Sequence, residues 1–206
     1  NNCSAESNAE GKCFGGTARL ISAIEDARSR HENTILLDGG DQFQGTLFYN
    51  LYKGKVAAEM MNKLQYDGMA VGNHEFDDGP ETLRAFMDTV NFPVLMANAN
   101  VDMEPELKGK LQKSSTIERG GHKIGLIGAV TEDVVDLSSP GDNIIFTDAI
   151  TAVQTEVDLL TSQGVGIIIL LSHSSYEIDK EIAANTTGID VIVGGHDNAY
   201  LSNVSD

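Results

Sequence analysis

Six short apolar runs punctuate the chain. They are "ILLD" at 35 to 38, "MAVG" at 69 to 72, "PVLMAN" at 93 to 98, "IGLIGAV" at 124 to 130, "GIIILLS" at 166 to 172 and "DVIVGG" at 190 to 195. Their near-continuous hydrophobicity predicts strands covered on both faces. Helical periodicity fills the gaps. Residues 16 to 30 place Leu20, Ile21, Ile24 and Ala27 on one face, and residues 54 to 64 do the same with Val56, Met60, Met61 and Leu64. Residues 80 to 90 carry Leu83, Phe86, Met87 and Val90, with Pro80 suited to a first helical turn. Residues 148 to 162 carry Ile150, Val153, Val157 and Leu160 and stop before Gly164. Met60 and Met61 read as core. Strands alternating with helices predict a layered α/β domain.

The polar residues after these runs carry the chemistry. Gly39, Gly40 and Asp41 follow the first run, and Asn73 and His74 follow the second. His173 follows the fifth, and His196, Asp197 and Asn198 follow the sixth. Strand ends are where layered α/β proteins bind ligands, on rigid supports. Of five histidines, three fall there; His31 and His122 read as solvated. Imidazole, carboxylate and amide oxygen together suit borderline divalent metals such as zinc, manganese or iron. No cysteine joins them, which excludes a structural zinc knot.

Charge sharpens this reading. The 206 residues carry a formal charge of -17, against non-specific nucleic-acid binding and adhesion to anionic membrane. An anionic substrate would need a local cation to reverse the field. No apolar run reaches membrane-spanning length. Cys3 and Cys13 fit either one disulfide closing a short loop or two free thiols. The triplets at Asn2, Asn185 and Asn203 fit the glycosylation acceptor pattern, and three of them favour a secreted chain.

"GDQFQG" (40 to 45), "GNHEFD" (72 to 77), "SHSSYEID" (172 to 179) and "GGHDN" (194 to 198) resemble four signature blocks of the calcineurin-like metallophosphoesterases. "CFGGTARL" and "YKGKVAAEMMNKLQYDGMAVGNHEFDDG" are similar to the animal ecto-5'-nucleotidase and salivary apyrase family. The resemblance implies a four-layer αββα sandwich around two divalent metal ions, zinc first, with manganese, iron, magnesium or calcium as alternatives. It makes Asp41 the bridging carboxylate, gives Asn73, His173 and His196 to the second metal and Asn198 to the first. His74 becomes the catalytic imidazole and Asp77 the carboxylate that orients it. Glu75 receives no chemical role and reads as structural, and Asp78 and Asp197 read as local turn residues.

The implied reaction is in-line attack of metal-activated water on a terminal phosphate of AMP, ADP or ATP. The implied location is extracellular, secreted or lipid-anchored. Two parts of the family pattern are not in the sequence. One is the initial strand with its Asp-x-His block, whose absence would expose two sheet edges. The other is a C-terminal nucleotide-binding domain. Residues 1 to 206 therefore read as a metallophosphoesterase domain fragment, with the missing N- and C-terminal parts of the same protein as partners. The competing reading is a non-catalytic secreted relative that binds metal, nucleotide or a protein on the same scaffold. A broader phosphodiesterase or sugar-nucleotide hydrolase shares the metal chemistry.

Overall fold

A computed structural model describes residues 3–199. The chain divides into two compact units, Asn1–Thr34 and Ile35–Asp206. In the first, a disulfide joins Cys3 to Cys13 around helix α1 (Ala5–Ala9). Ser4 caps α1 by accepting from the Ser7 backbone N–H at 3.0 Å. Helix α2 (Thr17–Arg30) follows, and its Arg19 guanidinium donates to Asn8 Oδ1 at 3.0 Å. Ile24 is buried, whereas Leu20 on the same predicted face stays exposed.

The second unit runs β1 (Leu37–Asp38), α3 (Leu47–Tyr52), α4 (Lys55–Leu64), β2 (Gly68–Ala70), a 3-10 turn (His74–Phe76), α5 (Pro80–Met87), β3 (Val94–Leu95) and β4 (Ala99–Asn100). It continues through β5 (Ser114–Arg119), β6 (His122–Val130), α6 (Val134–Leu137), β7 (Ile145–Phe146), α7 (Ala149–Ser162), β8 (Ile167–His173), α8 (Tyr176–Asn185) and β9 (Val191–Gly194). One sheet is parallel, ordered β1-β2-β3, and a second is ordered β5-β6-β8-β9. In the second, β6, β8 and β9 are parallel and β5 is antiparallel to β6.

Alternation along the strands builds four layers. Met69 on β2 and Val71 just after it pack with Met61, Leu83 and Phe86 of α4 and α5, while Ala70 turns to the other sheet. On β8, Ile169 and Leu171 meet Ala70, Leu95 and Leu126 between the sheets. Ile168 and Leu170 face Val153, Val157 and Leu160 of α7 and Ile182 of α8. Each central strand is thus apolar on both sides because both sides are covered, giving helix, sheet, sheet, helix. The sheets meet tightly at Gly128, where a Cβ would overlap the Leu95 carbonyl.

The predicted helices and the six predicted strands all form; β1, β2, β3 and β9 are shorter than expected, and β6 starts two residues earlier. β9 departs from the two-faced pattern, since Val191 is 49% exposed at an edge of its sheet. Strand β5, with polar alternation "SSTIER", and helix α3, with exposed Leu47, Phe48 and Leu51, escape the periodicity reading. An edge strand has no continuous apolar run to read, and α3 exposes the apolar residues that periodicity would bury.

Replacing Gly128 with Ala forces backbone, rather than a movable side chain, to give way. G128A should lower unfolding free energy by about 1–3 kcal/mol, seen as a reduced urea midpoint with an unchanged slope. An unshifted midpoint would show that the sheets separate freely.

Candidate metal centre

The parallel strands direct their C-terminal ends to one place. Residues 39–41 leave β1, Asn73 and His74 follow β2, His173 ends β8, and His196 follows β9. Asp41 and His196 sit in left-handed backbone, with φ of 63° and 62°. Such conformations cost roughly 1–3 kcal/mol outside glycine and persist only where surrounding contacts impose them.

The contact that imposes this on Asp41 comes from Glu75. Its carboxylate is fully buried and accepts from four backbone N–H groups. Asp41 and Gly72 donate to Oε2 at 2.9 and 2.6 Å, and Gln42 and Phe43 donate to Oε1 at 2.7 and 3.1 Å. Burial pushes the Glu75 carboxyl up to about 7, with the N–H donors opposing. Asp38 braces the same loop by accepting from Gly40 N–H at 2.9 Å and Gln42 Nε2 at 3.0 Å. Burial pushes Asp38 up to about 6. Gly40 has φ of 96°, and a Cβ there would meet His173 Nδ1 at 2.7 Å, so only glycine lets the loop lie against the imidazole.

Four polar side chains converge above this loop. His173 is buried, and its Nδ1 lies 2.6 Å from the Gly39 carbonyl. A carbonyl only accepts, so Nδ1 carries the proton and Nε2 of the neutral ring presents a lone pair. That Nε2 lies 3.1 Å from Asp41 Oδ2, 3.2 Å from Asn73 Oδ1 and 3.3 Å from His196 Nδ1. His196 Nδ1 is also 3.2 Å from Asn73 Oδ1. The ligand atoms of Asp41, His173 and His196 all lie within 4.8 Å of one another. Acceptors so gathered repel unless a proton or a cation stands among them. Burial alone would lower the His173 pKa; the Asp41 carboxylate outweighs it and raises it. In turn burial would raise Asp41, and His173 beside it outweighs that and lowers it. The set of one carboxylate, one amide oxygen and two imidazoles fits a divalent metal.

Beside this cluster stands a second arrangement. His74 backbone N–H donates to Asp41 Oδ1 at 3.0 Å, and its ring Nδ1 lies 2.8 Å from Asp77 Oδ2. Ser138 Oγ donates to the other Asp77 oxygen at 2.8 Å. His74, Asp77 and Ser138 thus form one hydrogen-bonded chain.

Of the other residues singled out in the sequence, Asn198 is exposed and donates through Nδ2 to the His196 carbonyl at 3.1 Å, on the same turn. Asp78 does sit in a turn, and its carboxylate also accepts from Tyr49 Oη at 2.6 Å and Lys53 Nζ at 2.8 Å, tying that turn to α3. Asp197 reaches back 21 residues to the Tyr176 N–H at the start of α8. Glu75, read as structural, does shape the loop. Its position in "GNHEFD" was a signal; Ser138, in a polar loop, offered none. His31 and His122 are exposed, as is Asn185 at the end of α8. Asn2 and Asn203 lie outside the described residues.

Glu75→Gln replaces an acceptor-only group with one that turns an NH2 toward backbone donors. It should cost about 1–3 kcal/mol in unfolding free energy and weaken divalent-metal binding in a calorimetric titration. Unchanged metal affinity would separate Glu75 from the site. The buried ionisable groups also make stability depend on pH. Asp38, Glu75 and His173 all hold protons more tightly folded than unfolded. Stability of the metal-free chain should therefore fall as pH rises from about 4 through about 7. Asp41, whose pKa is lowered, adds stability that is lost only as pH falls below the ordinary carboxylate range. Added divalent metal should reverse the loss near pH 8, because it replaces the protons. Denaturant titrations across that range check both signs.

Residues 11–200 match the calcineurin-like phosphoesterase family model. A 5'-nucleotidase of Diplobatis ommata is 48% identical over 198 residues, which are 93% of this chain and 34% of the relative. An apyrase of Tabanus yao is 41% identical over 192 residues, 92% of this chain and 34% of the relative. The crystal structure of a 5'-nucleotidase precursor from Thermus thermophilus superposes with a TM-score of 0.86 at 40% identity, over 88% of this chain and 36% of that one. The chain thus spans about a third of the length of these relatives. With four strand-end blocks folded around one cluster and a family match over nearly its whole length, this chain belongs to the calcineurin-like phosphoesterases.

Proposed function

We propose that this chain is the metal-binding part of a secreted phosphohydrolase that removes terminal phosphate from nucleotides, as a 5'-nucleotidase or an apyrase. The observation that carries the reading is the meeting of Asp41, Asn73, His173 and His196 beside an imidazole already paired to a carboxylate. In this reading Asp41, Asn73, His173 and His196 would hold divalent metal, zinc first, with Asp41 shared between two ions and Asn198 offering a further ligand. Bound metal supplies positive charge for the phosphoryl oxygens and lowers the pKa of water.

The chain's own residues do the rest. His74 Nε2 meets the reacting phosphoryl group and gives a proton to the leaving oxygen. Asp77 holds the ring in the tautomer with Nδ1–H and offsets the positive charge that the ring carries before transfer. Asp41 Oδ1 fixes the His74 main chain, so the proton donor and the metal-binding carboxylate move as one piece. The Cys3–Cys13 disulfide supports an oxidising, extracellular location, and exposed Asn185 is a proposed glycosylation site.

The test is phosphate release from AMP, ADP and ATP by the full chain, with and without chelator. Activity should vanish on metal removal and return on adding zinc. H74A should lower kcat by about 10²–10⁴-fold with metal content unchanged. Chelator-insensitive turnover, or H74A at full speed, would defeat the proposal. Metal and nucleotide binding without phosphate release would instead identify a non-catalytic relative.

A further inference from the structure

We propose that Ser138 is a positioning residue for this reaction, holding Asp77 so that Asp77 can hold His74. The inference rests on the reading of His74 and Asp77 as the catalytic pair.

A carboxylate with a single partner on one oxygen can rotate about its terminal bond and lose that partner's alignment. Asp77 is bonded on both oxygens: His74 Nδ1 on Oδ2 and Ser138 Oγ on Oδ1, each at 2.8 Å. Two partners on opposite oxygens set the plane of the group. The Asp77 side chain is 24% exposed, so water would compete for Oδ1 if the hydroxyl were missing. A hydroxyl suits this place because it donates to the carboxylate and adds no charge beside the imidazole.

Ser138 reaches Asp77 from 61 residues away, and its approach is anchored. It follows α6 as the cap, donating its backbone N–H to the Val134 carbonyl. Val134 is fully buried in the same core cluster as Phe76. The next residue, Ser139, donates its N–H to the Phe76 carbonyl at 3.2 Å, on the turn that carries His74. The segment is therefore docked on the catalytic turn by main chain and core, independently of the Ser138 hydroxyl. Removing that hydroxyl takes one hydrogen bond from Asp77 and leaves the docking in place. The expected result is a loose imidazole and an undisturbed fold.

The experiment uses the metal-loaded full chain with AMP as substrate. S138A should lower kcat about tenfold while KM, metal content and thermal midpoint stay at wild-type values, and S138T should restore turnover. In a double-mutant cycle, S138A/D77N should be no slower than D77N alone, because Ser138 acts only through Asp77. Independently of activity, the downfield proton resonance of His74 Nδ1–H, identified by its loss in H74A, should shift in S138A. The inference is overturned if S138A matches wild type in kcat and resonance while D77N is slow, which leaves the catalytic pair standing. Additive losses in the cycle, or lowered metal content in S138A, assign Ser138 a merely structural role and also overturn it. If H74A and D77N both keep full kcat, the catalytic-pair reading itself fails and this inference fails with it.

Discussion

The site depends on one buried carboxylate accepting four main-chain hydrogens. Glu75 has no contact with a reacting group, yet it decides where Asp41 can be. A short loop carrying a residue at positive φ would relax to another conformation if its N–H groups could find water. Glu75 removes that alternative by offering acceptors inside the protein, at the N–H groups of Asp41, Gln42 and Phe43 together. Because the same oxygens also bind Gly72 N–H, the loop after β1 is referenced to the turn after β2. Asp41 and His74 come from different strands, and this shared anchor joins them before any ligand arrives.

What the anchor creates is an electrostatic problem that a cation resolves. Asp41, Asn73, His173 and His196 bring polar atoms within about hydrogen-bond distance of one another, more acceptors than the ring N–H groups there can serve. Without metal, a proton on His173 relieves part of the repulsion, which is why its pKa rises despite burial. A divalent ion relieves all of it at once. In the proposed reaction such an ion would also offset the chain's charge of -17 toward a phosphate. The strain at Asp41 and His196 and the acidity of the chain thus have a common physical sense, which is to place concentrated positive charge at one spot on a negative molecule.

Architecture sets the location of that spot. Two sheets stacked face to face, with their parallel strands ending on one side, gather loops from residues 39 to 198 that are distant in sequence. The tight seam at Gly128 and Leu95 keeps the sheets in register, so the loops of one remain opposite those of the other.

Much of this was legible in the amino-acid order. Central strands announced themselves because two-faced burial leaves no polar position, and the ligand types were visible because strand ends seldom carry histidine, asparagine and aspartate together without a reason. Edge strand β5 and helix α3 were not legible, since water on one side erases periodicity. The partners of Glu75 and Ser138 were not legible, because they lie 33 and 61 residues away. Sequence by itself therefore determined the strand framework and the chemistry of the donors. Tertiary structure alone decided which carboxylates support and which reach the centre, because both kinds are acidic residues in similar local company and differ only in what the fold turns toward them.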